Sequence, residues 1–522
     1  MMNMPVDTTD CDKEQIQFIE SIQPFGTLVA VDKDHKVRYA AVSDGFDWTV
    51  SELLGKKIDS YLLDADRVFA AVANRSEPTS PLLIRTAHTK KWLSCIAHRQ
   101  SELTIIELEF VPPEQIDIAS LKFMSDRRDS LESYLSYIAE NMRNVTGYDR
   151  VMIYKFGLDW HGEVVAESLK STGYSFYGHH FPASDIPAPA RQLFTQMWVR
   201  MIPDVDAKPV RIEGKANTQL DLSKSVLRAA SNIHMQYLRN MDVAASLTMS
   251  LICDGKLWGL IACHHFTPKY LIAEQRAVCS LLAKVVSSRI TTLSVSATIA
   301  ATDKIAAVTT ELGKQLTVGD LMESIRDNKR SLYQFLRADG FSFVSQDWTI
   351  VTEGHAPAPE ELSLLVKVLD ESNQELVYTD SIENLYPELS SLNLVAAGIL
   401  GFKVAGNWFI WNRQEVVKSL LWAGDPNKPL YLNDHSNQLS PRSSFNSWKE
   451  NVRGTSTSWE QYEVTAAERL KKSLVESLEK TKHVHRADAH AYLKLIRTSI
   501  DNQAAELQNQ FKNLKLEGIE LD

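Results

Sequence analysis

Phe181-Pro182-Ala183-Ser184-Asp185-Ile186-Pro187 holds one carboxylate between two prolines in an otherwise apolar, aromatic neighbourhood. Proline fixes its own φ and keeps the preceding residue out of the helical region, so Pro182 and Pro187 stiffen both flanks and aim the backbone between them. A stretch of this kind can present main-chain carbonyls and a single acid to a ligand. The plainer alternative is a proline-bounded surface loop whose Asp185 caps the helix that begins at Ala188-Pro189-Ala190-Arg191-Gln192-Leu193-Phe194.

The flanks of this motif read as sheet, helix, sheet. A helix from Leu131 to Met142 carries Leu131, Leu135, Ile138 and Met142 on one face, and the strands 150–156 and 162–168 follow it. Beyond the motif, 246–252 and 257–265 alternate as strands around a turn at Asp254-Gly255. This order resembles a GAF domain. The polar, weakly periodic stretch between Met201 and Arg228 is an insertion, and loops of that length inside compact domains are usually functional or disordered. Upstream, 26–32 and 37–43 form a hairpin pattern around Lys33-Asp34-His35. With a short helix at 50–55 and strands at 92–97 and 103–109, they make a PAS-like α+β unit ending near Pro112-Pro113.

Downstream, no Gly or Pro interrupts Glu274 to Leu312, and Val278, Leu281, Leu282, Val285, Val286, Ile290 and Leu293 keep helical spacing. One core cannot cover a helix of that length, so it bridges domains. A third α+β domain has a helix at 321–336 and strands at 376–378 and 397–404. Inside it, 422–459 is rich in Pro, Ser, Asn and Gly yet carries Leu430, Tyr431, Leu432, Phe445 and Trp448, a composition suited to an arm that docks on another surface. The last segment, 486–522, places Leu493, Ile496, Ile500, Ala504, Leu507, Phe511 and Leu514 at spacings of 3, 4, 4, 3, 4 and 3, a heptad seam with one stutter at Ile500-Ala504. A parallel dimeric coiled coil is expected there, rather than a helix packed on its own domain.

Composition bounds the rest. A chain of 522 residues is too long for one core. Its 56 basic and 66 acidic residues, net charge -10, argue against nucleic acid as a partner. No continuous apolar run of about 18 residues is present and the N-terminus is not a signal peptide, so a cytoplasmic protein without a membrane span is expected. Cys11, Cys95, Cys253, Cys263 and Cys279 show no paired spacing, so neither a disulfide framework nor a zinc site is indicated; four lie in apolar runs, while Cys11 sits in a polar terminus where a thiol is accessible, the plainer alternative being a stray thiol in a terminal tail.

These features together resemble a bacterial phytochrome photosensory module of PAS, GAF and PHY domains. The motifs that carry the resemblance are Cys11 ahead of Ile22-Gln23-Pro24-Phe25-Gly26, the Pro182–Pro187 motif, 235–241 (MQYLRNM), 258–265 (WGLIACHH), 411–415 (WNRQE), Pro441-Arg442-Ser443-Ser444-Phe445 and Trp448-Lys449-Glu450. The resemblance implies an α+β chain with antiparallel sheets, divided as 1–117 (N-terminal segment and PAS), 118–297 (GAF), 298–485 (PHY, with a tongue at about 422–459) and 486–522 (coiled-coil linker helix). It also implies a figure-of-eight knot between PAS and GAF that uses the insertion, and a long inter-domain spine helix.

The resemblance further implies covalent biliverdin IXα, a linear tetrapyrrole, attached through Cys11. The backbone carbonyl of Asp185 would accept from pyrrole N–H groups with His234 nearby, Ile186 would line the site, Arg200 and Arg228 would hold one propionate, and Ser246 and Thr248 the other. Tyr154, Phe181 and Tyr237 would surround ring D, whose carbonyl His264 would bond. Phe194 stands where relatives carry tyrosine, and Phe25 where many carry histidine. Taken singly, Tyr154 and Phe181 read as core aromatics and His264 as a structural histidine. The implied mechanism is Z/E isomerisation at ring D under red light. The Asp185 side chain would pair with Arg442 in the dark state and with Tyr237 and Ser444 afterwards, the tongue would refold from hairpin to helix as Trp448 and Glu450 exchange places, and the coiled coil of a parallel homodimer would change register. Neither a kinase phosphoacceptor context nor a cyclase signature is apparent, so a diguanylate cyclase or histidine kinase output is expected outside this chain, taken as a truncated sensory module. The rival readings are a non-photochemical GAF sensor of a small molecule and an enzyme using Asp185 with His234 or His264; no nucleophile or metal constellation accompanies the latter.

Overall fold

The structure is a computed structural model. It describes residues 15–75, 77–111, 128, 130–157, 160–170, 174–214, 219–316, 321–372, 374–416, 418–424, 431–432, 439–440, 445–461, 463–476, 493–498 and 505, with the backbone alone at 297–316, 418–420, 431–432, 439–440 and 450–452. Cys11, Arg442, Ser444, the Glu450 side chain and most of the expected terminal helix lie outside this description; 493–498 and 505 are helical.

Two compact units emerge, one from 1–294 with 419–450 and one from 295–418 with 451–522. In the first, a six-stranded antiparallel sheet runs in the order Glu213–Gly214, Val37–Ala41, Thr27–Val31, Leu103–Phe110, Trp92–Gln100, Leu82–Arg85. Its hairpin turns where expected, because the Asp32 carboxylate accepts from the N–H groups of Asp34 and Lys36 while His35 takes φ 63°. One face buries Val29, Val31, Ile106 and Leu108 under Val68 and Val72 of the helix Ala65–Val72. The other buries Leu28, Ala30, Tyr39 and Ile105 against Ile22 and against Leu222 and Leu227 of the insertion.

The second sheet of this unit has eight strands in the order Val199–Ile202, Ala245–Cys253, Lys256–His265, Arg150–Phe156, Gly162–Leu169, His179–Phe181, Lys418–Ala423, Ser447–Val452. Side chains alternate across a strand, and here Val151, Ile153, Met201, Leu247, Met249, Ile261 and Cys263 all fall on one face. They form a core with Leu135, Ile138 and Met142 of the helix Leu131–Thr146 and Leu282, Val286 and Ile290 of the helix Ala273–Leu316. Ser130 caps the first of these helices through Ser133 N, and Gly147, at φ 65°, ends it. The second helix runs for 44 residues. Its part Ala273–Ser296 is long and apolar enough to cross a membrane by length and composition, a property that the count of continuous apolar residues did not register. Leu282, Ala283, Val286 and Ile290 of that stretch lie in the core just described, while Leu281 and Val295 are exposed.

The second unit is built on a five-stranded antiparallel sheet ordered Ile350–Gly354, Gly340–Val344, Asn407–Arg413, Gly398–Val404, Leu376–Thr379. Phe341, Phe343, Phe402 and Trp411 pack on one side with Leu332 and Phe335 of the helix Leu321–Phe335, and Trp408 and Ile410 on the other with Leu362, Leu365 and Leu369 of the helix Pro359–Glu371.

Candidate functional site

The face of the eight-stranded sheet opposite its core carries the alternate residues. Arg200 pairs across with Thr248 and Ile202 with Ser246; Ser246 pairs with His264, Thr248 with Ala262, Ala262 with Met152 and Leu260 with Tyr154. Register therefore brings all of these to one surface, and they form one wall of a cavity with about 230 Å³ open to the centres of water-sized spheres. Tyr154, Phe181, Asp185, Ile186, Phe194, Arg200, Arg228, His234, Tyr237, Ser246, Thr248 and His264 all line it. All twelve expected binding residues within the described part of the chain thus meet in one place.

The proline motif forms the opposite wall. Ala183–Asp185 makes a single 3₁₀ turn, with Asp185 N bonded to Pro182 O, and the helix Ala188–Gln196 starts after Pro187 at its N-cap without any side-chain cap. Pro187, and not Asp185, thus occupies the N-cap position. Its Oδ2 accepts from Tyr237 Oη at 2.8 Å, and Tyr237 lies on the helix Asn232–Asn240, whose cap Ser231 accepts from His234 N. The His234 and Tyr237 rings are nearly parallel, with centroids 6.2 Å apart. Arg191 steadies the motif from behind, donating to the carbonyls of Ile186 (2.6 Å) and Ala183 (3.3 Å) while lying over the Trp160 ring.

Electrostatically the cavity is short of anions. Among the described residues, neither Arg200 nor Arg228 has a carboxylate within ion-pair distance. Arg200 donates to the carbonyls of Val226 (3.3 Å) and Arg228; Arg228 donates to Ile16 O at 3.0 Å, and its Nε is buried without a partner. Burial, reinforced by the neighbouring Arg228 charge, holds Arg200 well below its ordinary range, and burial brings Arg228 down to about 10. Burial together with nearby positive charge lowers His234 to about 4 and His264 to about 3, so both are neutral near pH 7. Among the described residues the buried His264 Nδ1 is also without a partner. Buried polar atoms in an apolar cavity cost free energy unless a ligand satisfies them. Two guanidiniums, two hydroxyls and a neutral histidine on apolar walls therefore fit an elongated, mainly apolar ligand with two carboxylates and further polar edges, as a linear tetrapyrrole is.

Two segments distant in sequence complete the site. Ile16 and Ile19 line the cavity, and their stretch is bonded to the insertion: Ser21 and Ile22 pair with Arg211 and Val210, Gln17 O accepts from Leu222 N, and Gln23 Nε2 donates to the carbonyls of Met201 and Arg228. No local pattern marked Ile16 or Ile19; Met152, by contrast, was legible from its alternation with Tyr154. Phe25 packs on Tyr270 with ring centroids 5.6 Å apart and under the Arg276 guanidinium. Where the expected tongue (422–459) begins, the strand Lys418–Ala423 adds in parallel to His179–Phe181, Trp422 packs near His180, and Phe445 meets Tyr237 edge-on at 5.0 Å. Trp448 is half-buried in the last strand of the sheet. The expected exchange placed Tyr237 on Asp185 only after the tongue left its hairpin. Here the Tyr237 bond coexists with the strands Lys418–Ala423 and Ser447–Val452 in the sheet, because the helix Asn232–Asn240 already holds Oη within reach of the carboxylate.

Comparison with known proteins agrees with this architecture. The Phytochrome region matches residues 305–483, the GAF domain 130–290 and the PAS fold 11–111. The chain is 32% identical over 499 residues to cyanobacterial phytochrome B of Nostoc sp., covering 90% of this chain and 66% of that protein. It is 30% identical over 502 residues to a bacteriophytochrome of Pseudomonas aeruginosa, covering 90% and 67%. It thus spans about two thirds of the length of these relatives. The phytochrome photosensory core module of Stigmatella aurantiaca superposes with a TM-score of 0.79 at 29% identity, over 91% of this chain and 99% of that one. Three domain matches in PAS, GAF, PHY order, on a fold shared along almost the whole chain, mean that the chain belongs to the phytochrome family as a PAS–GAF–PHY photosensory module.

Proposed function

We propose that the chain is the sensory part of a red/far-red photoreceptor that holds biliverdin IXα in the cavity. The observation that carries this reading is the pair of guanidiniums, Arg200 and Arg228, facing an apolar cavity without carboxylate partners among the described residues. Arg pairs a carboxylate through a planar fork, so the two would anchor one propionate while Ser246 and Thr248 bond the other. The Asp185 carbonyl and His234 would face the pyrrole nitrogens; Ile186 and Phe194 would pack alongside, the latter without the hydroxyl of a tyrosine. Neutral His264 would donate to the carbonyl of ring D among Tyr154, Phe181 and Tyr237. Cys11 is five residues before cavity-lining Ile16, and five residues of extended chain reach about 17 Å, so the sequence separation permits a thioether to ring A. When bound, the bilin would supply red-light absorption and Z/E isomerisation at ring D.

On this reading the backbone bonds between 16–23 and 210–229 belong to the figure-of-eight knot. The Asp185 carboxylate is the switch, and its contacts with Arg442 and Ser444, rather than with Tyr237 alone, distinguish the two states, as the tongue with Trp448 and Glu450 refolds. The domain limits are 1–117, 118–297, 298–485 and 486–522. A parallel homodimer would form along the long helix and the terminal helix, where Leu281, Val295, Leu493 and Ile496 are exposed, and would pass the signal to a diguanylate cyclase or kinase domain in the cytoplasm. Catalysis by this module itself is not part of the reading.

The test is co-expression with heme oxygenase. A red absorption band that survives denaturation, and no longer does so in Cys11→Ser, is expected; a colourless protein, as a non-photochemical GAF sensor would be, overturns the bilin reading. Asp185→Ala should retain pigment yet fail to hold the far-red-absorbing state after red light, and normal photoconversion would remove Asp185 from the switch.

A further inference from the structure

Behind the arginine wall lies a carboxyl group that the site does not itself use. Glu107 belongs to the PAS strand Leu103–Phe110, is almost fully buried, and faces the insertion beside Ile105 and Glu109. Its Oε1 accepts from Ser225 Oγ at 2.5 Å and Leu227 N at 2.6 Å, and its Oε2 from Val226 N at 3.1 Å. The peptide joining Val226 to Leu227 is therefore held at both ends: its N–H points at Glu107, and its C=O accepts from Arg200 Nη1 at 3.3 Å. A peptide dipole aligned between an acid and a guanidinium is polarised by both. The next residue in the chain is Arg228 itself, whose carbonyl also accepts from Arg200.

We propose that Glu107 is a positioning residue of the ligand site, by which the PAS domain fixes the loop Ser225–Arg228, orients Arg200 through one peptide group, and couples the charge on the arginine wall to a proton. This rests on the bilin-binding reading for its ligand and on the hydrogen-bond geometry for its mechanism. Burial raises the Glu107 carboxyl to about 7, against the three donors that lower it. The charged groups around it are Glu109, which is paired with Arg276 and Tyr270; Arg200, on which the Glu107 charge acts; and, on the same face of the neighbouring strand, His98, brought to about 4 by burial with Asp221 and Lys224 of the insertion acting on it. Arg200 is the cation of this group that sits at the ligand end. A ligand carboxylate on Arg200 withdraws that positive charge from Glu107, so binding favours protonation of Glu107 and the chain takes up a proton near neutral pH. By linkage, affinity for a dicarboxylate ligand falls as pH rises through about 7.

Two measurements test this. In the ligand-free chain, Glu107→Gln puts an amide NH₂ against the Val226 N–H, and amide exchange at Val226 and Leu227 should quicken about tenfold, while Leu251 and Ile261 in the sheet core stay protected. In a Cys11→Ser background, the dissociation constant of biliverdin between pH 6 and 8.5 should rise with pH for the Glu107 chain. For Glu107→Gln it should be several-fold weaker at pH 6 and flat. Ser225→Ala, which removes one donor and nothing else, should move the wild-type midpoint upward, and it serves if Glu107→Gln fails to fold. Unchanged exchange with an unchanged pH profile overturns the proposal. A chain that binds no biliverdin at any pH overturns the bilin reading instead, and the exchange measurement still decides whether Glu107 anchors the loop.

Discussion

Tyr154 and Gly162 show how little space single atoms have at the cavity. A Cβ on Gly162 would lie 1.8 Å from the Tyr154 ring, so no side chain fits unless that ring moves. Gly162→Ala should therefore displace Tyr154 into the cavity, cost about 1–3 kcal/mol as overpacking does, and weaken biliverdin binding while the fold persists; urea unfolding and a binding titration check both effects. Glu107 carries a different signature. Its carboxyl titrates at about 7 in the folded chain against an ordinary 4.5. The folded state thus keeps a proton that the unfolded state has released, and this contribution to stability is complete below about pH 4.5 and lost as pH rises through 7. At about 1.4 kcal/mol per pH unit it is worth at most about 3 kcal/mol. Denaturation at pH 5 and pH 8 should show Glu107→Gln gaining on the parent chain toward pH 8, and a pH-independent difference would contradict the assignment. A group that costs stability when ionised yet orders a binding wall is the kind of compromise found at functional sites.

Among elements, the strand Lys418–Ala423 is the most revealing. It joins His179–Phe181 through a short parallel pairing at Leu421 and Trp422, a small number of backbone bonds, with Ser447–Val452 on its other side. Side chains add to it, and Phe445 packs on Tyr237, whose hydroxyl bonds the Asp185 carboxylate. Phe445→Ala should leave the rest of the sheet intact but loosen this docking, so limited proteolysis should cut within 424–445 faster than in the parent chain, with no change at the strands 150–169. The helix Ala273–Leu316 shows the opposite balance: Leu282, Val286 and Ile290 are fully buried, so its first turns are held by packing rather than by helix propensity.

Taken whole, the PAS and GAF regions share one interface with two acids on it. Glu109 is paired with Arg276 and accepts from Tyr270 Oη at 2.6 Å, while Glu107 holds the insertion. Glu109→Ala would leave the Arg276 guanidinium buried without its partner, a loss of about 3–5 kcal/mol, and should appear as a lowered melting temperature that Arg276→Met in the same chain partly restores. Assembly is tested at the same scale: light scattering should give twice the chain mass, and Leu281→Glu with Val295→Glu should reduce it to the single chain if the long helix is the dimer contact.

Much of this was legible in the residues themselves. Strand alternation, the hairpin at Asp32–His35, the uninterrupted helix after Glu274 and the stiff Pro182–Pro187 turn depend on neighbours a few positions apart, and local spacing encodes them directly. The twelve cavity residues could be named because their motifs resemble a family, and sheet register explains why those on the strands converge. Only the tertiary structure decided that Asp185 bonds Tyr237, that Ile16 and Ile19 reach the cavity, and that a PAS glutamate grips the arginine loop. Glu107 and Leu227 are 120 positions apart. No periodicity spans such a distance, and the contact exists because two sheets and an insertion pack so that a buried carboxyl finds the backbone donors it needs.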